Sequence, residues 1–140
     1  MNTFPLQIVT PDGSFFDSQA AMIRLRTIEG DVAVMAGHLP YVTAIGIGEC
    51  RVQLPDGSDR YAACCGGLLS VGDAVRVVAG TFEWADQIDI SRARTAYERA
   101  RQKLDSFAPE TDPVLIANAQ EHLKRAQNRL RVADRVLSGR

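Results

Sequence analysis

The side chains able to do chemistry are few and scattered. Three cysteines, Cys50, Cys64 and Cys65, and two histidines, His38 and His122, make up all the thiols and imidazoles. No histidine lies near a cysteine along the chain, so nothing in the sequence supplies the base that a nucleophilic thiol needs. Cys64 and Cys65 are adjacent and would point to opposite faces of a strand, and the set lacks metal-ligand spacing. All three are expected to be reduced packing residues. His38 has no acidic or thiol cluster around it to complete a ligand set, and His122 stands far away in a helical stretch. The sequence thus assigns no catalytic group and no metal. Arginine is the remaining candidate: Arg125 and Arg129 are four apart and fall on one face of one helix, but no Gly-rich Walker loop accompanies them.

The elements that must position these residues divide at Ile88-Asp89-Ile90-Ser91-Arg92-Ala93. Residues 1–87 carry 5 Lys/Arg against 10 Asp/Glu, and residues 88–140 carry 11 against 7, so a formal total of −1 conceals an acidic half and a basic half. Before the join, short apolar runs are punctuated by Gly and Pro. Leu6-Gln7-Ile8-Val9, residues 22–27, 32–35, 41–45, 50–54, 61–64, 68–71 and 74–78 read as strands, with Pro11-Asp12-Gly13 and Pro55-Asp56-Gly57 as tight turns. No segment between them is long enough for a crossover helix, which predicts an antiparallel sandwich or flattened barrel. After the join the period becomes helical. Asp89 or Ser91 can cap a helix running to about Ser106, with Ala93, Ala96, Tyr97, Ala100 and Leu104 on its apolar side. Asp112-Pro113 starts a second helix to about Leu137, its stripe formed by Ile116, Ala119, Leu123, Ala126, Leu130 and Ala133 with Val136 and Leu137, and Ser138-Gly139 marks its exit. The predicted fold is α+β: a β-sandwich over 1–87 and a two-helix antiparallel hairpin over 88–140. The hairpin's alanine-rich seam gains little hydrophobic energy, at about 0.8 kcal/mol per buried methyl-sized group. No apolar run reaches the roughly 18–20 residues that span a bilayer, and residues 1–5 lack a secretory n-region and h-region, so a soluble, cytosolic chain is expected.

The sequence resembles the epsilon subunit of F-type ATP synthase, bacterial type, over nearly its whole length. The match is carried by Glu29-Gly30, Gly37-His38, Pro40, Thr43-Ala44-Ile45 and Gly66-Gly67-Leu68 in the first half, and by Ile88-Asp89, Arg92-Ala93, Lys124-Arg125-Ala126 and Asn128-Arg129-Leu130 in the second. Departures from the family pattern are Asp31-Val32-Ala33 after Gly30, Ala36 before Gly37-His38, and Cys65 before Gly66-Gly67.

The resemblance implies a non-catalytic rotor subunit of the central stalk, on the cytoplasmic face of the bacterial plasma membrane and attached to it only through the complex. Its partners would be the gamma subunit, the c-subunit ring and the alpha/beta catalytic head. By the same resemblance Glu29, Gly30, Asp31 and His38 form the surface that meets gamma and the c ring. Lys124, Arg125, Arg129 and Arg131 would serve as contacts of an inhibitory arm. Opened as one helix of about 48 residues at 1.5 Å each, that arm would reach roughly 70 Å. Ile88, Asp89, Arg92, Ala93, Arg99, Arg125 and Arg129 match positions that bind ATP in some bacterial members, although Asn118 stands where such relatives can carry a further arginine. Guanidinium groups suit phosphate oxygens and an aspartate can accept from an adenine amino group. No cofactor is required; ATP would be a regulatory ligand. A free-standing ATP-sensing module is the alternative from another class. A nucleic-acid-binding role is opposed by the acidic first half and by the lack of aromatics beside the arginines.

Overall fold

The computed structural model describes residues 2–137, so Ser138-Gly139, expected to mark the helix exit, lie outside the described residues. Eight strands precede two helices: β1 Phe4–Thr10, β2 Gly13–Ala20, β3 Met22–Thr27, β4 Gly30–Met35, β5 Tyr41–Ala44, β6 Ile47–Gln53, β7 Asp59–Val71, β8 Val75–Trp84, α1 Ile90–Ser106 and α2 Pro113–Leu137. The strands run in the order β2-β1-β8-β7-β6-β3-β4, with β5 joined to β7, and do not close into a barrel.

The long hairpin β7–β8 serves both layers of this sandwich. Residues 59–65 of β7 pair with β6, residues 68–71 pair with β5, and the first half of β8 pairs with β1. The inward-facing positions change parity midway: Ala62 and Cys64 are buried before the change, Leu69 and Val71 after it. Gly66 and Gly67 sit at the change with φ of 74° and 96°, a region that side chains disfavour. A Cβ at Gly67 would come within 1.8 Å of the Val78 carbonyl oxygen, so only glycine lets β7 and β8 approach so closely here.

Between the layers lies one apolar core. Ile23, Leu25, Val34, Cys50, Val52, Phe82 and Trp84 come from the layer of β3, β4 and β6, and Leu6, Ile8, Leu69, Val71 and Val77 from the other. Alternation along β3 shows the cause: Ile23, Leu25 and Thr27 point inward while Arg24 and Arg26 remain outside. Both Pro-Asp-Gly segments form turns as expected, the second closed by Asp56 Oδ1 accepting from the Ser58 backbone at 2.8 Å.

Three expectations need correction. One pair, β1 with β8, is parallel, because these strands are joined through the whole intervening sandwich and need no crossover helix. Residues 61–64 and 68–71 form one strand, not two. Strand β2 carried no alternating signal, since it is an edge strand, mostly exposed, with a bulge opposite Ile8 and Val9.

The helices begin where their caps put them. Asp89 Oδ1 accepts from the Arg92 backbone N–H at 3.0 Å, and Asp112 Oδ1 from Val114 at 2.9 Å with Pro113 in the first helical position. Of the expected stripes, Ala93, Ala100, Ala119, Ala126 and Ala133 are buried. Ala96, Val136 and Leu137 are exposed: α1 packs chiefly on α2, and α2 meets β6 and β7 with a different side, which carries Asn128, Val132 and Arg135. No described helix is long and apolar enough to cross a membrane.

Candidate functional site

The hairpin lies on the outer face of the β6–β7 layer, and this seam is where the acidic and basic halves meet. Tyr61 and Ala63 alternate outward from β7 and, with Ala85 of the 3₁₀ turn Ala85–Gln87, meet Ile88, Ala93, Val132 and Ala133. The apolar contact is thin, since four of its six buried members are alanines. Polar contacts complete it. Arg135 grips Glu49 through Nε and Nη2 at 2.9 and 3.0 Å, and its guanidinium lies 4.7 Å from the Tyr61 ring centroid. Arg129 grips Glu83 at 2.6 and 3.1 Å. The buried Asn128 donates to the Gly48 carbonyl at 2.9 Å. The hydrogen bond with Glu49 is the main reason the Arg135 guanidinium holds its proton more tightly than usual. Arg135–Glu49 is a two-pronged hydrogen-bonded pair, and Arg129–Glu83 an ion pair with one hydrogen bond, the Arg129 Nε making none. Such contacts are directional and salt-sensitive, and the seam they close is here called the latch.

Beside the latch is a cleft of about 300 Å³ between α2 and the sheet, lined by His122, Arg125 and Arg129, by Ala96 of α1 and by Cys65, Thr81 and Glu83. Of the seven residues matched to nucleotide binding, only Arg125 and Arg129 line it. Arg125 pairs with Glu121 at 2.8 Å. Ile88 and Ala93 are packed in the root of the hairpin, Asp89 is the cap of α1, and Arg92 and Arg99 are exposed on α1. Lys124 and Arg131 are exposed on α2. Cys50 and Cys64 are buried free thiols, and burial pushes the Cys64 thiol from 9.0 up to about 12.

The loop residues form a second surface. Glu29 and Gly30 sit in the β3–β4 turn, where Thr27 Oγ1 donates to the Gly30 carbonyl at 2.7 Å and accepts from the Glu29 backbone at 3.1 Å. Thr43 Oγ1 donates to Glu29 Oε1 at 3.3 Å. Tyr41 links Glu29 to His38: the His38 ring lies 5.3 Å from it, and burial, then the Glu29 charge, raises its phenol pKa. Asp31 turns away toward Arg26 at 3.4 Å and Arg24 at 3.9 Å. Beside this turn and loop, Ile28 and Leu39 are 73% and 79% exposed. Among the described residues no group of three or more His, Cys, Asp and Glu is placed to hold a metal.

Sequence reasoning missed Glu49, Glu83, Asn128 and Arg135. The charge asymmetry announced that the halves attract, but no local pattern says which carboxylate meets which arginine. Asn128 lies about 200° round α2 from Ala126, on the side away from the alanine stripe, so the helical period gave no sign that it would be buried.

A two-layer β-sandwich with a helical hairpin packed on one outer face defines the class: an α+β protein of sandwich and hairpin. Two adjoining family models match the chain, "ATP synthase, Delta/Epsilon chain, beta-sandwich domain" over residues 3–85 and "ATP synthase, Delta/Epsilon chain, long alpha-helix domain" over residues 86–134. The ATP synthase epsilon chain of Caldicellulosiruptor saccharolyticus is 39% identical over 140 residues, covering 99% of each chain. That of Staphylococcus aureus is 39% identical over 136 residues, covering 96% of this chain and 98% of its own. Among solved structures, a chain of the Euglena gracilis mitochondrial ATP synthase OSCP/F1/c-ring assembly shares the fold, with a TM-score of 0.77 at 23% identity over 90% of this chain and 78% of that one. A chain of the Tetrahymena thermophila mitochondrial ATP synthase central stalk and c ring does so with a TM-score of 0.61 at 10% identity, over 94% and 97%. The chain belongs to the ATP synthase delta/epsilon chain family, as an epsilon-type subunit of the central stalk that is accessory and not itself an enzyme.

Proposed function

We propose that this chain turns with the central stalk of a bacterial F-type ATP synthase at the cytoplasmic face of the plasma membrane, its sandwich binding gamma and resting on the c ring. Its hairpin is a regulatory arm that, once released, reaches the alpha/beta head and hinders ATP hydrolysis. The observation that carries the reading is the latch: an alanine-rich seam of little apolar bulk, closed by Arg129–Glu83 and Arg135–Glu49. Such a contact holds the arm yet can exchange its carboxylates for others, since the same arginines fit any acidic loop of a partner.

Support for a separate gamma-binding surface comes from the other layer. On β7 and β8 Leu68 and Val78 are direct cross-strand partners, and Val42 of β5, opposite Ser70, lies diagonal to Leu68; the three are 51%, 46% and 64% exposed. This apolar face is remote from the latch, so gamma can bind it whether the arm is down or up. The Glu29–Tyr41–His38 edge, with Ile28 and Leu39 beside it, offers the polar-and-apolar mixture suited to loops of the c ring.

ATP is proposed as a regulatory ligand that holds the arm down by adding phosphate contacts to Arg125 and Arg129 across the cleft. Calorimetric titration of the isolated protein with ATP and MgATP, repeated on Arg92→Ala and Arg125→Ala, tests this part: no heat in the unaltered chain leaves a purely mechanical arm. For the arm itself, the protein lacking residues 88–140 should still bind gamma while ATP hydrolysis by the reconstituted complex rises. Loss of gamma binding on truncation would overturn the division of labour. A free-standing ATP sensor would instead bind nucleotide and show no stable association with gamma.

A further inference from the structure

A second cleft, of about 440 Å³, opens at the other end of the latch between β3, β6 and the last turns of α2. Of the residues lining it, Ile47 alone is shared with the cleft that holds Arg125 and Arg129. Five arginines line it, Arg24, Arg26, Arg51, Arg131 and Arg135, against two carboxylates, Asp31 and Glu49. Asp59, outside the lining, balances Arg51 at 2.9 Å. Cationic charge remains in excess, and Arg51 and Arg135 are near enough for each to oppose the other's charge.

The crowding is built by the backbone. A Cβ on Gly48 would fall 2.4 Å from the Arg26 Cβ, so the glycine is what allows the Arg26 stem to lie across β6 toward the hairpin. Arg51 Nε is buried with no hydrogen-bond partner. Arg131 has no ion pair among the described residues and projects from the α2 side, so the cleft's cations come from both the sandwich and the arm. Asp31 lies at 3.4 and 3.9 Å from two arginines at once, a spacing that leaves guanidinium donors unfilled.

We propose that this cleft binds a small multivalent phosphate, orthophosphate or pyrophosphate, whose oxygens bridge Arg24 and Arg26 of the sandwich to Arg131 of the arm. Guanidinium forks fit phosphate oxygens in pairs, and converging cations from two elements are relieved by one anion between them. The cleft selects against a nucleotide because its lone aromatic ring, Tyr61, is already covered on a face by Arg135, leaving no clear platform for a base. Since one end of the bridge is on α2, bound phosphate tightens the latched state, and it does so independently of any ATP at Arg125 and Arg129.

The test is calorimetric titration of the full chain with sodium orthophosphate, sodium pyrophosphate and ATP at constant ionic strength held with NaCl, paired with amide hydrogen exchange of α2. Pyrophosphate should bind more tightly than orthophosphate and slow exchange across 113–137. Arg131→Gln and Arg24→Gln should each weaken it at least tenfold, Arg131→Lys less, and Arg125→Gln not at all. Both substituted side chains are exposed, and thermal melting by circular dichroism verifies that the variants fold. Binding unchanged in Arg131→Gln, or abolished by Arg125→Gln instead, would overturn the proposal by placing the anion elsewhere. Heat from ATP that is lost in Arg131→Gln, with none from either inorganic anion, would overturn it in favour of a nucleotide. Failure of ATP to bind at Arg125 leaves the phosphate result untouched, so the two readings fail separately.

Discussion

Removing both carboxylates of the latch, in the double variant Glu49→Gln with Glu83→Gln, should free the arm without harming the sandwich. Arg135 holds Glu49 through two hydrogen bonds of 2.9 and 3.0 Å, Arg129 holds Glu83 through one of 3.1 Å with its Nε close by but not hydrogen-bonded, and all four side chains are part-buried. Exposed ion pairs contribute about 0.2–1 kcal/mol and hydrogen bonds to charged groups about 1.5–3 kcal/mol, so partial exposure places each pair near about 1.2 kcal/mol. Two such losses come to about 2.5 kcal/mol, which lowers the docking constant roughly sixtyfold. Amide hydrogen exchange reads this directly, because an undocked helix is marginal in water and its amides open. Exchange in α2 should accelerate by that order while β3, β6 and β7 stay as slow as before. Raising salt should speed α2 in the unaltered chain and scarcely in the variant, since the charges that salt screens are gone. Equal acceleration in helices and strands, or none in α2, would refute the latch as what holds the arm.

Gly67→Ala should lower the sandwich's unfolding free energy by at least about 2 kcal/mol, from a left-handed φ combined with the 1.8 Å approach to Val78 O; urea melts of Gly67→Ala beside Gly57→Ala, which has φ +90° but open space, separate the clash from the strain. Asp89→Ala should cost about 1 kcal/mol by removing the cap of α1, and Asp89→Asn far less, as seen in faster exchange at the start of α1. Iodoacetamide at pH 8 should modify Cys65 in the native protein and spare Cys50 and Cys64, read by mass spectrometry; equal labelling of all three would contradict their burial. The Cys64 thiol, pushed from 9.0 up to about 12, also makes stability pH-dependent: the unfolded thiol ionises at the lower value, so the unfolded state binds fewer protons above that pH and stability falls as pH rises toward the folded value. Urea midpoints measured from pH 8 to 11 should decline, and less steeply in Cys64→Ala.

Much of this was legible in the chain, and the reasons differ by element. Alternation in Met22–Thr27 fixed which side of β3 faces the core, because a strand's period of two makes inside and outside a property of the residues themselves. Asp112-Pro113 marked the start of α2 and Asp89 or Ser91 that of α1, the structure choosing Asp89, since capping is settled within three residues. The charge count showed that the halves would attract. What the chain did not display are relations between residues far apart: the parallel pairing of β1 with β8, the bend that Gly66 and Gly67 give β7, and the pairing of Arg129 with Glu83 and Arg135 with Glu49 across 46 and 86 positions. Ala96 and Asn128 show the same limit on one hairpin, the first helically placed yet exposed, the second polar yet buried. Local periodicity says which face of a helix is apolar, but only the surface it meets decides how wide a strip is covered and which polar atom finds a carbonyl waiting, as Asn128 finds Gly48.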